Sequence, residues 1–401
     1  MRTTLVFSLL ILLVAACSPA TSTTTALPTA TNAPATTSPP LPTATIDINE
    51  EPPFGLSAEF TTDFSKRSVS FAEILSGGPP KDGIPPIDAP QFVSVAEADE
   101  WLKPLEPVIF VQVGEDARAY PLQILTWHEI VNDTVGEVPL TVTFCPLCNT
   151  AIAFRRTVGE RVLDFGTTGR LRYSNLIMYD RQTESWWQQG TGTAIAGEFT
   201  GTQLEFYPAV IVAWQDFRAQ FPTGQVLSRN TGFSRTYGVN PYEGYDDVNR
   251  PPFLYRGPET PGRLPAVARV LAVELNGEAV AYPYDVLKKW YAVNDKVGSE
   301  DIVIFWQAGT ASALDTSAIA EGKDVGAAAA FVSRIDGKWH SFRWIDGKIM
   351  DNETGSTWNV FGQAVAGELA GRQLEPVVGV NHFWFSWAAF KPETRVFSQN
   401  P

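Results

Sequence analysis

The chain carries one stretch of sequence twice, and that duplication constrains its fold more than any other feature. AYPLQILTWHEIVNDTVG begins at Ala119 and AYPYDVLKKWYAVNDKVG at Ala281, an offset of 162 residues with no gap. Further matches follow in the same order. YDRQTESWW (Tyr179 to Trp187) answers MDNETGSTW (Met350 to Trp358), and AIAGEFTGTQLE from Ala194 answers AVAGELAGRQLE from Ala364. Trp214 answers Trp384, and FPTGQVLS ending at Ser228 answers KPETRVFS ending at Ser398. Each unit is long enough to be a domain, so two homologous halves are expected, residues 107–230 and 267–401, packed with approximate two-fold pseudo-symmetry.

Within the first unit, VIFVQV from Val108 reads as an apolar strand, Gly114 as a turn, and the following run as a second strand ending at Pro121. Pro121 has the fixed φ that suits the first turn of a short helix through Trp127. Abundant Gly and Pro, with Val, Phe, Trp and Tyr in short runs, predict many short strands joined by turns and no long amphipathic helix. The expected class is mainly β, an α+β chain with few short helices.

The ends of the chain read differently. Residues 1–16 have a basic start, an apolar run from Leu5 to Val14 and Ala15-Ala16 before Cys17, the pattern of a lipoprotein signal peptide with lipidation expected at Cys17. Residues 17–57, rich in Thr, Ser, Pro and Ala, cannot bury apolar surface and read as a disordered tether. The expected location is the extracytoplasmic face of the cell membrane, with the lipid anchor as the membrane partner. Residues 58–106 form a lead-in in which GGPPKDGIPPIDAP resists regular structure and AEADEWL from Ala96 suggests a short helix. The net charge of −14, with no Lys/Arg run beyond the signal peptide, argues against nucleic acid as a partner.

Duplication supplies an internal comparison. Asn132-Asp133, Trp187 and Gly197 recur as Asn294-Asp295, Trp358 and Gly367, which marks them as architectural. Cys145 and Cys148, in TFCPLCNTAIAF, do not recur: the 162 offset puts Gln307 and Thr310 opposite them, and Trp290 opposite His128. A histidine and two cysteines lost together from one half form a candidate catalytic set. The C-x-x-C spacing alone allows a small disulfide ring, two thiolates on a metal, or a reactive thiol beside its resolving partner. The first half also has extra chain, GTTGRLRYSN, in which Arg170, Arg172 and Asn175 are candidates to bind an anionic substrate or lower a thiol pKa. The single-copy connection, residues 231–266, is a possible lid.

At these stretches, and at RLRYSNLIMYDRQTESWWQQ, FPTGQVLSRNTG and NPYEGYD, the chain resembles domain-of-unknown-function family 3179. The resemblance carries no established activity. It implies that some members place selenocysteine at one position of the motif matching Cys145 and Cys148, which favours redox chemistry over structural zinc. Members usually follow the second cysteine with glycine, where this chain has Asn149.

The leading expectation is a thiol redox site on Cys145 and Cys148 assisted by His128, acting with an unknown redox partner or small-molecule substrate. The first alternative is copper or zinc held by Cys145, Cys148 and His128. The second is a ligand-binding lipoprotein with a structural disulfide. Both of the first two require His128 within a few Å of a sulfur.

Overall fold

The computed structural model describes residues 50–52 and 55–398. Cys17, the signal peptide and most of the tether lie outside the described residues. Strands make up 41 % and helices 13 % of the described residues, and the helices are short, so the class is mainly β. Among the described residues no helix is long and apolar enough to cross a membrane.

Each half begins with the same run of elements. In the first, strands Pro107–Val113 and Asp116–Pro121 lead into the helix Leu122–His128 and the hairpin Ile130–Val135 and Val138–Cys145. In the second, Arg269–Leu275 and Glu278–Pro283 lead into Tyr284–Trp290, then Ala292–Val297 and Glu300–Gln307. Pro121 and Pro283 cap their helices in extended conformation, with φ −62° and −64°. This suits a ring that cannot donate within the first turn. The helix forecast through Trp127 runs one residue further, to His128.

Residues shared by the halves make the same bonds. Asn132 exchanges two hydrogen bonds with the backbone of Phe165, as Asn294 does with Phe342. Trp187 and Trp358 each donate Nε1–H to a buried carboxylate, Asp180 and Asp351, at 2.9 Å. Gly197 and Gly367 hold φ near +97° and +96° where a Cβ would strike Ser185 and Ser356, so only glycine fits.

One sheet joins the halves. Its order runs Arg395–Val396, Glu278–Pro283, Arg269–Leu275, Gly379–Phe383, Thr150–Arg155, Val138–Cys145, Ile130–Val135. The seam is antiparallel, with Asn381 opposite Ala151, three residues past Cys148. The lead-in is more ordered than its composition suggests. Its strand Ile74–Ser76 pairs with Phe165–Arg172, and Phe60, Phe64 and Phe71 bury against Tyr179, Trp186 and Ile195. The short helix expected near Ala96 spans Val95–Ala98, started by a reciprocal cap between Ser94 and Glu97.

Candidate functional site

Cys145 ends the strand Val138–Cys145, and Pro146–Cys148 turns in a single 3-10 step. Asn149 closes that step in the left-handed region, φ 49° and ψ 39°, a conformation open to Asn as well as Gly. Asn149 thus makes this turn without a glycine. Both cysteines are free thiols and essentially fully buried.

The two sulfurs are unequal. Burial pushes the Cys145 thiol well above its ordinary pKa, and the neighbouring Cys148 and Glu129 charges push it the same way. Burial opposes ionisation of Cys148 too, but donors from Cys145, Thr150, Asn175 and Ser386 outweigh it and hold that thiol below its ordinary value. Cys148 is therefore the more acidic thiol of the pair.

Asn175 is the best-defined of these donors: its Nδ2 lies 3.0 Å from Cys148 Sγ. Its orientation is fixed from behind. Oδ1 accepts from the Gly190 backbone N–H at 2.8 Å and from Gln188, and Nδ2 also donates to Gln189 Oε1 at 3.1 Å. A Cβ on Gly190 would sit 3.1–3.2 Å from the Asn175 amide, so glycine there gives the amide its room. The hairpin that carries Asn175 is longer than its counterpart. Fifteen residue steps separate Phe165 from Asp180, while nine separate Phe342 from Asp351. At its tip Tyr173 and Ser174 both have positive φ, 55° and 61°, the two-residue turn that normally takes Asn or Gly. Tyr173 is held by its hydroxyl on Glu73 at 2.6 Å, and Ser174 Oγ donates to the Phe253 carbonyl.

Glu129 follows the helix with φ 57°, and its backbone N–H closes the last turn on the Leu125 carbonyl. Burial, reinforced by the charge of Cys148, pushes its pKa up to about 8. Its carboxylate makes no hydrogen bond to any described residue. A buried carboxyl with that pKa beside two thiols can both take and give a proton near neutral pH.

The second half contributes as well. His382, on the seam strand, lies with Nδ1 2.7 Å from Thr150 Oγ1, and burial lowers its pKa to about 3, so the ring is neutral. Its Nε2 is buried without a partner. A buried N–H without an acceptor is rarer than a bare lone pair, which places the ring proton on Nδ1, facing Thr150. Thr150 then accepts from His382, and its own hydroxyl donates to the Cys148 carbonyl at 3.2 Å. Ser386, in the helix Trp384–Phe390, is fully buried on the Cys148 side, its hydroxyl otherwise without a partner.

Over the site lies the connection 231–266. Tyr245 donates to the Leu147 carbonyl at 2.8 Å, inside the CPLC turn, and Tyr242 and Tyr245 both pack against the apolar cluster that contains the cysteines. Both also line a cleft of about 450 Å³ with Arg250, Phe253 and Leu254. The two tyrosines thus separate the thiols from an open cleft.

Three sequence-derived candidates take other places. His128 is fully buried, but its Nδ1 meets the Pro85 carbonyl and its Nε2 the Tyr237 hydroxyl, each at 2.7 Å. Both ring nitrogens are engaged away from the sulfurs, which corrects the expectation that His128 assists or co-ligates. Its contacts with Phe233 and Tyr237 make it an anchor for the connection instead. Arg170 and Arg172 pair with Glu59 and Glu73 of the lead-in, both at 2.7 Å, and pin that segment rather than face the thiols. Of the substrate-binding candidates only Asn175 reaches a sulfur. Glu129, His382 and Ser386 were not singled out from sequence. Glu129 stands opposite Tyr291 at the 162 offset, so the comparison that exposed His128 exposes it too.

No curated protein and no solved structure matches the chain. A family model described as a protein of unknown function, DUF3179, matches residues 81–394, and the chain belongs to that family.

Proposed function

We propose that the chain is a thiol redox protein in which Cys148 is the attacking thiolate and Cys145 the resolving thiol. The observation that carries the reading is an oriented amide on one sulfur, Asn175 Nδ2 at 3.0 Å from Cys148 Sγ. An inert core cysteine behaves as a small apolar side chain and needs no oriented amide.

The step balances as thiol–disulfide exchange. Cys148 Sγ⁻ attacks one sulfur of a substrate disulfide; a mixed disulfide forms and the first substrate thiolate leaves. Cys145 passes its proton to the Glu129 carboxylate and its sulfur attacks Cys148, which forms the Cys145–Cys148 disulfide and releases the second thiolate. The substrate gains two electrons and the pair loses them; with a dithiol partner the sequence runs in reverse. A small disulfide suits the cleft by volume, and the tyrosine wall must part to admit it.

The alternative of copper or zinc on the cysteines loses its third ligand, because His128 is engaged elsewhere. In the redox reading the body is held at the extracytoplasmic face by a lipid on Cys17, so Cys17→Ser should move the protein to the soluble fraction.

The test is stoichiometric. With a chromogenic aromatic disulfide, the reduced protein should release two thiols per chain, Cys145→Ser one with an adduct on Cys148, and Cys148→Ser none. A Cys148→Ser variant that reacts like the parent would overturn the assignment. Stoichiometric copper or zinc that is lost with either cysteine would replace redox with metal binding.

A further inference from the structure

Comparison of the halves exposes a second polar cluster, this time in the second half. His340, Asp351 and Glu353 bring one imidazole nitrogen and two carboxylate oxygens within 4.8 Å of one another. The local frame is the same in both halves. The His340 backbone N–H donates to Ser333 at 2.8 Å, as Leu163 does to Arg156. The Ser341 N–H donates to Glu353 at 3.0 Å, as Asp164 does to Gln182 at 2.9 Å. Asp351 repeats the bonds of Asp180 to its tryptophan and threonine. Against that common frame the second half replaces Leu163 with His340 and Gln182 with Glu353. Two ligating side chains thus occur together in one half and face a carboxylate that both halves possess.

A second observation points to a ligand. His340 is 8 % exposed, and its Nδ1 is buried with no hydrogen-bond partner. That nitrogen lies 3.8 Å from Asp351 Oδ1 and 3.7 Å from Glu353 Oε2. Those separations are too long for hydrogen bonds, and a buried polar atom without a partner is uncommon. They fit ligands across a shared ion: two atoms each about 2.1 Å from zinc stand about 3.4 Å apart at the tetrahedral angle, and farther as the angle opens. Thr354 fixes the Asp351 carboxylate and Ser341 the Glu353 carboxylate, the outer hydrogen bonds that metal-binding carboxylates commonly have. The Glu353 side chain is 40 % exposed, so water can reach the remaining positions.

We propose that His340, Asp351 and Glu353 bind a divalent transition-metal ion through one nitrogen and two oxygens, a donor set that suits zinc with open positions for water. The site belongs to the second half's own hairpin and is independent of the thiol chemistry.

The test uses the full protein with Cys145→Ser and Cys148→Ser, so that thiolates do not compete for the ion. Equilibrium dialysis against zinc should leave one equivalent per chain, and cobalt(II) should give a visible absorption band. His340→Leu and Glu353→Gln install the residues that the first half carries in the same frame, so the fold should tolerate them; each should lose the equivalent and the band. No zinc at equilibrium, or equal zinc in the parent and both variants, would overturn the site.

Discussion

Glu129 and Tyr291 occupy the same backbone state at the same point of each half, φ 57° and 58°, one residue past equivalent helices. What surrounds them differs. Tyr291 stacks on Trp344 with ring centroids 4.0 Å apart and meets Trp306 edge-on, which closes that end of the second half with aromatic rings. Glu129 has two thiols and an unbonded carboxylate in the corresponding space. A positive φ in a bulky residue often marks functional strain, but here both halves share it, so it belongs to the fold. The chemistry comes from the residue that stands there.

Nor is the second half an idle copy. Its seam strand and following helix bring His382 and Ser386 to the thiols, where the first half's equivalents, by register on Trp214 and Trp384, are Val212 and Asp216. Asp216 in turn lies within hydrogen-bonding reach of Gln307, the counterpart of Cys145, and burial raises its pKa to about 6. Each half thus reaches into the other, and the polar donors gather around the half that kept the cysteines.

The largest expected effect tests that asymmetry. Cys148→Ser should abolish disulfide exchange, whereas Gln307→Cys with Thr310→Cys should not create it in the second half. The grafted thiols would face Tyr291 and a shorter hairpin without an Asn175. Fast exchange from the graft, read by thiol release, would mean that the CxxC spacing suffices and the surrounding donors do not matter.

Next in size is the pH dependence of stability. Glu129 titrates at about 8 in the fold and near 4.3 unfolded. Below about pH 4 both states hold the proton, and stability is full. Between about 4 and 8 the unfolded chain releases a proton that the folded chain keeps, so stability falls as pH rises, by a few kcal/mol in total. Glu129→Gln should remove that slope in denaturant titrations of the reduced protein. Oxidation of the pair should lessen it, because the Cys148 charge contributes to the shift. An unchanged slope in the variant would show that Glu129 is not the buried acid. His382, lowered to about 3 by burial, works in the opposite direction. Below its ordinary value near 6.5 the unfolded chain takes up a proton that the folded chain refuses, so the stability it contributes is lost as pH falls from about 7 toward 3. This opposing slope should remain in Glu129→Gln.

Much of this was legible in sequence, and the misses have definite causes. The repeat, the helix after Pro121, the cysteine pair and Asn175 were all readable, because each rests on local pattern or on one half lacking what the other has. His128 was placed with the thiols because it vanishes with them. It does so because it anchors the connection that covers them, a tertiary contact over 109 residues to Tyr237. The next residue, Glu129, is the one beside the sulfurs. His382 and Ser386 were invisible for another reason: nothing in the chain states that Gly379–Phe383 pairs with Thr150–Arg155. Arg170 and Arg172 were drawn toward the site because their acidic partners, Glu59 and Glu73, lie in a lead-in whose composition suggests no fixed structure.

A smaller effect tests the donor on Cys148. Asn175→Ala removes a hydrogen bond to a charged group, worth about 1.5 kcal/mol or more, and should slow alkylation of Cys148 at neutral pH roughly tenfold. Gly190→Ala should act in the same direction by displacing the amide without deleting it. If alkylation is unaffected by either change, the Asn175 contact does not stabilise the thiolate.

The smallest effect compares two residues that the halves share. Asn132 and Asn294 make the same pair of bonds to Phe165 and Phe342, but Asn132 is buried and also donates to Asp88 at 2.8 Å, while Asn294 is exposed. Removing Asn132 leaves a buried backbone N–H and carbonyl without partners; at Asn294 water can replace the lost side chain. Asn132→Ala should therefore cost about 1 kcal/mol more than Asn294→Ala in urea unfolding. Equal costs would mean that the frame around Asn294 is as dry and as tightly held as the frame beside the thiols. The second half would then differ from the first in the side chains it presents and not in how firmly it holds them.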